Sequence, residues 1–266
     1  MPKYVIEFQN VDMFYGDFQA LNHMTLVVEE GEILGLVGPN GAGKTTSIKI
    51  LVGLLQHDSG IVNVLGQNIV HDRTSYKANI GYMPEAPTLP EYLTTSEFLG
   101  FVGRLRGITG EKLQRKMADL MHTLQLVSRA NDTVATLSKG MRAKLAFAAA
   151  VIHEPKILIL DEPLIGIDPA GQHLIKEKIV EMAKRGGSVL VSTHQLDTAE
   201  RLCTRVSIIH KGANLATGDI ANLRSQAHMG EKSTLEEVFL KLTEEADLPE
   251  PEVVRRRGLF GGFGRA

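Results

Sequence analysis

Between residues 38 and 46 the chain reads Gly38-Pro39-Asn40-Gly41-Ala42-Gly43-Lys44-Thr45-Thr46, and Gly38, Gly43, Lys44 and Thr45 satisfy the spacing G-x-x-x-x-G-K-[ST]. That spacing suits phosphate. Successive backbone N–H groups from Asn40 to Thr45, placed at the positive end of a helix dipole, form an anion cradle. Gly41 and Gly43 permit a backbone too tight for a Cβ. The Lys44 ammonium reaches the β- and γ-phosphates, and the Thr45 hydroxyl is a ligand for Mg²⁺. A second constellation stands 117 residues after Lys44, where Ile157-Leu158-Ile159-Leu160 runs into Asp161 and Glu162. Asp161 would hold Mg²⁺, directly or through water, and Glu162 would polarise an attacking water.

Both constellations depend on the elements around them. A phosphate loop requires a strand entering and a helix leaving. The run Ile33-Leu34-Gly35-Leu36-Val37 is continuously apolar, as in a buried parallel strand, and Thr46 to Leu55 continues at helical spacing. Ile157 to Leu160 is a second buried strand, so its two acids fall at the carboxyl edge of the sheet, where α/β folds bind ligands. Further strands are expected at Tyr4 to Phe8, Thr25 to Val28, Ile61 to Leu65, Ser188 to Ser192 and Val206 to His210. Turns fall at Glu30-Gly31 and Asp58-Ser59-Gly60. From Thr94 to Ile152 the pattern is helical, with Leu113, Met117, Leu120 and Leu124 spaced by three and four. A helix from Ala170 to Lys184 ends at Gly186-Gly187. The expected fold is therefore an α/β core interrupted by a helical block, without internal repeats.

Composition sets outer bounds. A chain of 266 residues, 43% hydrophobic, can bury a large core, and its formal charge of −2 argues against a dedicated nucleic-acid binder. The lone cysteine, Cys203, excludes an intrachain disulfide and sits in a helical stretch as a buried small hydrophobe. No apolar run approaches the roughly 18 residues of a membrane span. Met1-Pro2-Lys3 leads into a strand pattern instead of a signal-peptide core, so any membrane role is expected to go through a partner.

With these residues in order, the chain resembles the nucleotide-binding subunit of an ABC transporter over residues 3 to 243. The resemblance implies a P-loop NTPase fold of ABC type: a mainly parallel core sheet, an N-terminal antiparallel β region, an inserted helical subdomain and a short C-terminal extension. It also implies an ATP-binding domain over 1–229, with core 1–84 and 153–229 and helical subdomain 85–152, followed by a helix and basic tail over 230–266. Tyr15, in Phe14-Tyr15-Gly16, matches the aromatic that stacks on adenine; the competing reading is a strand-core tyrosine. Leu137-Ser138-Lys139-Gly140-Met141 stands at the family's L-S-G-G-Q signature, directly before a helix from Arg142 to Ile152. Asp168, in Gly166-Ile167-Asp168-Pro169, matches a loop at the dimer interface, and His194, in Ser192-Thr193-His194, matches the switch histidine.

What the resemblance implies about function is an ATPase using ATP and Mg²⁺. A helix N-terminus behind Ser138 is a second anion site that cannot reach the phosphate loop of its own chain, so the resemblance implies a homodimer whose two subunits pack head to tail with each ATP between them. An integral-membrane permease on a separate chain would place the protein at the cytoplasmic face of the membrane, with no nucleic acid involved. Three departures stand out: Lys139 for the first signature glycine, Met141 for its glutamine, and Glu85, in Ile80-Gly81-Tyr82-Met83-Pro84-Glu85, where the family has a glutamine touching Mg²⁺. A carboxylate at 85 either joins the metal or faces solvent. These same segments, with Leu235 to Thr243, resemble the ATPases of ABC-2-type exporters; an importer ATPase and a soluble ABC ATPase of DNA repair or translation are the alternatives. Ser233 with Glu236 reads as a capping box for a helix from Ser233 to Thr243. Beyond it, Arg255, Arg256, Arg257 and Arg265 with Leu259, Phe260 and Phe263 form either a contact for anionic lipid or a Gly-rich tail without one.

Overall fold

The computed structural model describes residues 4–247. Met1-Pro2-Lys3 and the basic tail with Arg255, Arg256, Arg257, Leu259, Phe260, Phe263 and Arg265 lie outside the described residues. The chain begins with strands β1 (Tyr4–Tyr15), β2 (Phe18–Glu29) and β3 (Ile33–Val37), helix α1 (Lys44–Leu51), and strands β4 (Ser59–Val64), β5 (Gln67–Asn68) and β6 (Ile80–Met83). Three helices follow, α2 (Thr95–Leu105), α3 (Gly110–Thr123) and α4 (Lys139–Val151). Then come β7 (Ile157–Asp161), α5 (Pro169–Lys184), β8 (Ser188–Thr193), α6 (Leu196–Leu202), β9 (Arg205–His210), β10 (Ala213–Gly218), α7 (Ile220–Gln226) and α8 (Leu235–Asp247).

Among the described residues the strands form two sheets. A six-stranded sheet has the order β10-β9-β3-β8-β7-β6, parallel from β9 to β6 with β10 antiparallel at one edge. An antiparallel sheet has the order β2-β1-β4-β5. The apolar strand sequences follow from burial on both faces: in β7, Leu158 and Leu160 join the core under the helical block, while Ile157 and Ile159 join the core under β1, β2 and α1. Val189 and Val191 of β8 repeat this alternation against Leu190. The helical block is thus continuous with one face of the parallel sheet, and α4 crosses β6 so closely that a Cβ at Gly81 would lie 2.1 Å from the Ala150 carbonyl oxygen.

Several boundaries differ from the expectations. Helix α1 starts at Lys44 rather than Thr46, because Gly43 at φ 105° makes the turn into it. Strand β1 runs on to Tyr15 through a positive φ at Asn10 and successive register shifts, a bulged course that interrupts the alternation the eye looks for. Strand β6 is short and is defined by its pairing with β7, far along the chain, whereas β10 is the second arm of a hairpin with β9 that turns at Lys211-Gly212. The cap of α8 is also displaced by one residue: Thr234 and Glu237 form the reciprocal pair, at 2.8 and 3.3 Å, in place of Ser233 and Glu236. Leu235 and Val238 of α8 are fully buried against Val206, Ile208 and Leu223, so the C-terminal helix is packed onto the core.

Candidate functional site

The phosphate loop is wedged between β2 and the β9–β10 turn. A Cβ at Gly43 would lie 2.7 Å from Leu21 Cδ2, and one at Gly38 would lie 2.3 Å from the Ile209 carbonyl oxygen. Glycine at both positions is therefore steric necessity. The Gly212 N–H donates to the Ala42 carbonyl at 3.1 Å and the Asn22 N–H to the Gly212 carbonyl at 2.9 Å, so hairpin, loop and turn brace one another. Pro39, Asn40 and Gly41 form the crest of the loop, and Thr45 and Thr46 are half-buried in the first turn of α1. Lys44 is buried and donates to the carbonyls of Gly38 at 2.6 Å and Pro39 at 3.0 Å. Burial pulls the pKa of its ammonium down, while the charges of Glu162, Asp161 and Glu85 hold it up. These four groups, expected together from the sequence, share one electrostatic field.

Asp161 and Glu162 lie at the carboxyl edge of the sheet, as β7 requires, and both are buried. Glu162 stands at φ 48°, a left-handed conformation that costs a non-glycine residue about 1–2 kcal/mol. Its N–H is held there by the Ser192 carbonyl at 3.1 Å and by Ser192 Oγ at 3.2 Å. The Ser192 hydroxyl in turn donates to Asp161 Oδ1. His194, exposed at the end of β8, places both its backbone N–H, at 2.9 Å, and its ring Nδ1, at 2.8 Å, on Glu162 Oε1. Among the described residues no hydrogen bond reaches Glu162 Oε2, which leaves that oxygen for a water. Sequence motifs placed Glu162 and His194 at one site; neither the direct contact between them nor the part played by Ser192 was visible in the spacing.

Tyr15 is 46% exposed at the end of the β1–β2 hairpin, paired with Phe18, which rules out the strand-core reading. Glu85 is exposed in the loop after β6. Thr45, Asp161 and Glu85 supply hard oxygen donors, and no ready-made cage of three or more His, Cys, Asp or Glu exists among the described residues. Such a donor set fits Mg²⁺, which is held by one or two carboxylates together with substrate phosphates.

Ser138 to Met141 lie in a different neighbourhood. Ser138 is the N-cap of α4 and its Oγ accepts the Met141 N–H at 3.3 Å, so Lys139, Gly140 and Met141 form the first helical turn instead of preceding the helix. The Lys139 and Gly140 N–H groups are then the orphan donors of that terminus. A Cβ at Gly140 would lie 3.1 Å from the Gly166 carbonyl, and the Lys139 stem covers Gly166. Asp168 caps α5 by accepting the Gly171 N–H at 3.1 Å and faces Lys144 Nζ at 3.7 Å. The Gly171 hydrogen bond, with the Lys144 charge, holds the Asp168 carboxyl below its ordinary pKa. The signature segment and the Asp168 loop are thus packed on each other. Cys203 follows the last residue of α6 and is half-buried as a whole, with its sulfur turned against Gly35; that desolvation pushes the thiol up to about 12.

A phosphate loop leaving a parallel strand, with two carboxylates on the neighbouring edge, defines a P-loop nucleotide-binding ATPase. The sequence profile described as "ABC transporter" matches residues 21–165. The Nod factor export ATP-binding protein I of Burkholderia lata is 35% identical over 218 residues, covering 82% of this chain and 72% of that protein. The linearmycin resistance ATP-binding protein LnrL of Bacillus subtilis is 34% identical over 222 residues, covering 84% and 71%. A solved structure of the ATP-binding subunit of an ABC transporter superposes with a TM-score of 0.85 at 33% identity, covering 90% of this chain and 99% of that one. The chain belongs to the ABC transporter family as an ATP-binding subunit. No helix among the described residues is long and apolar enough to cross a membrane.

Proposed function

We propose that this chain binds Mg-ATP between two head-to-tail copies of itself and hydrolyses it to drive export through a separate integral-membrane permease at the cytoplasmic face. The observation that carries this reading is the division of the anion sites. Lys44, Asp161, Glu162 and His194 gather at the carboxyl edge of the sheet, whereas the α4 N-terminus behind Ser138 packs on the Gly166–Asp168 loop. A second copy brings that terminus to the open side of the phosphate loop, and Asp168 travels with it. Export is supported by the relative named for Nod factor export. On this reading residues 1–229 form the ATP-binding domain, with 85–152 as its helical subdomain, and 230–266 comprise the C-terminal helix and the basic tail.

Within the site, Lys44 exchanges the Gly38 and Pro39 carbonyls for the β- and γ-phosphate oxygens, a stronger, charge-assisted contact. Tyr15 offers its exposed face to the adenine. Thr45 and Asp161, with Glu85 beside them, would hold Mg²⁺, which supplies charge neutralisation at the phosphates when bound. Glu162 accepts a proton from the attacking water at Oε2, while His194 fixes Oε1 and so aims the carboxylate. Loss of ATP binding in Lys44→Ala, by at least about a hundredfold in a calorimetric titration, is the expected outcome. Unchanged affinity would remove the phosphate loop from the account.

A further inference from the structure

We infer that Ser192 is a positioning residue whose hydroxyl joins the carboxylate of Asp161 to the backbone of Glu162, setting how strongly Mg²⁺ supports ATP binding. The inference rests on the Mg-ATP reading above. Ser192 sits directly opposite Asp161 in the parallel register of β7 and β8 and is fully buried. A hydroxyl has one proton to donate and two lone pairs to accept with. Here the proton goes to Asp161 Oδ1, and one lone pair receives the Glu162 N–H at 3.2 Å.

Each contact constrains a different part of the site. With Oδ1 engaged, the plane of the Asp161 carboxylate is fixed, and among the described residues no hydrogen bond reaches Oδ2, the oxygen left for a cation. The Glu162 N–H, shared between Oγ and the carbonyl of Ser192, keeps Glu162 in its left-handed conformation at φ 48°. Two residues on, the N–H and Nδ1 of His194 hold the other end of the same glutamate. The segment 192–194 therefore grips both carboxylates from β8. Burial strengthens the coupling, because a partly satisfied polar group in the interior is costly and among the described residues no second donor reaches Oδ1.

A serine of purely structural value would behave like Ser207, also fully buried in a strand, whose hydroxyl joins Asn214 and Thr217. The test compares Ser192→Ala, Ser192→Cys and Ser207→Ala by calorimetric ATP titration, with excess Mg²⁺ and with EDTA. For Ser192→Ala, affinity for metal-free ATP should stay within about twofold of wild type, while the gain in affinity from Mg²⁺ falls roughly tenfold, the scale of one lost hydrogen bond to a charged group. Ser192→Cys, a weaker donor of similar size, should fall between, and it carries the comparison alone if the alanine variant does not fold. Ser207→Ala should keep the wild-type Mg²⁺ gain. A wild-type Mg²⁺ gain in the folded Ser192 variants overturns the inference. Lys44→Ala and Asp161→Asn run in the same series separate this from a failure of the underlying reading: if neither disturbs ATP binding nor its Mg²⁺ dependence, the Mg-ATP site itself is misassigned and the role of Ser192 falls with it.

Discussion

Glu85 carries a negative charge where the family has a neutral amide, and its charge reaches Lys44 together with those of Asp161 and Glu162. Such crowding of carboxylates disfavours a phosphate unless a cation offsets it. Glu85→Gln should therefore improve affinity for metal-free ATP relative to Mg-ATP by roughly three- to tenfold, since removing one nearby charge shifts the balance by about a kcal/mol. Equal ratios of the two dissociation constants in wild type and variant would mean that Glu85 faces solvent in the bound complex as well. At this scale the residues that could be found from sequence were those whose spacing is fixed by a local backbone shape: Gly38 to Thr45 as a loop, Asp161 and Glu162 as the end of a strand. Ser192 and Asp161 are 31 residues apart, and His194 and Glu162 are 32 apart. Their contacts exist because β7 and β8 lie side by side in a particular register, which no local pattern encodes.

Elements depend on such long-range partners too, and β6 with the end of α4 shows the consequence. His153 follows α4, and its Nε2 contacts the Ile80 carbonyl at 3.0 Å; a carbonyl can only accept, so Nε2 carries the hydrogen. Nδ1 is buried with no hydrogen-bond partner among the described residues, and burial, with the charge of Arg106, pushes the imidazole down to about 4. An unfolded histidine titrates near 6.5, so as pH falls below that value the unfolded chain gains a proton that the folded chain refuses. The His153 contribution is thus complete above about pH 6.5 and is lost progressively toward pH 4. Urea midpoints at pH 7 and pH 5 should fall for wild type and fall less for His153→Gln, whose amide retains a donor for Ile80; equal losses would place the acid sensitivity elsewhere. The tight approach at Gly81, like this buried histidine, is a property of the crossing between α4 and β6. Seen in sequence alone, Ile80-Gly81-Tyr82-Met83 was a motif fragment and not a strand. The capping box of α8 shifted for a related reason: Ser233-Thr234 and Glu236-Glu237 offer two equally good pairs, and the burial of Leu235 and Val238 selects the second.

For the whole molecule, fold class followed from order: strands, a helical block, strands again, with apolar runs wherever both faces of the sheet are covered. On the proposed function, the division of the anion sites calls for a second copy of the chain. Glu162→Gln retains the shape of the site while removing the proton acceptor, and should slow hydrolysis by roughly a hundredfold or more. On that proposal, ATP then persists between the two chains. Ser138→Arg in the same background fills the space before the α4 N-terminus, leaving the phosphate loop of its own chain intact. The most direct measurement is the molar mass of Glu162→Gln by light scattering, at saturating Mg-ATP and at saturating Mg-ADP. Two chains per particle with ATP, one with ADP, and one under both conditions once Ser138→Arg is added is the predicted result. A folded, ATP-bound Glu162→Gln that remains a monomer would contradict the shared-site account.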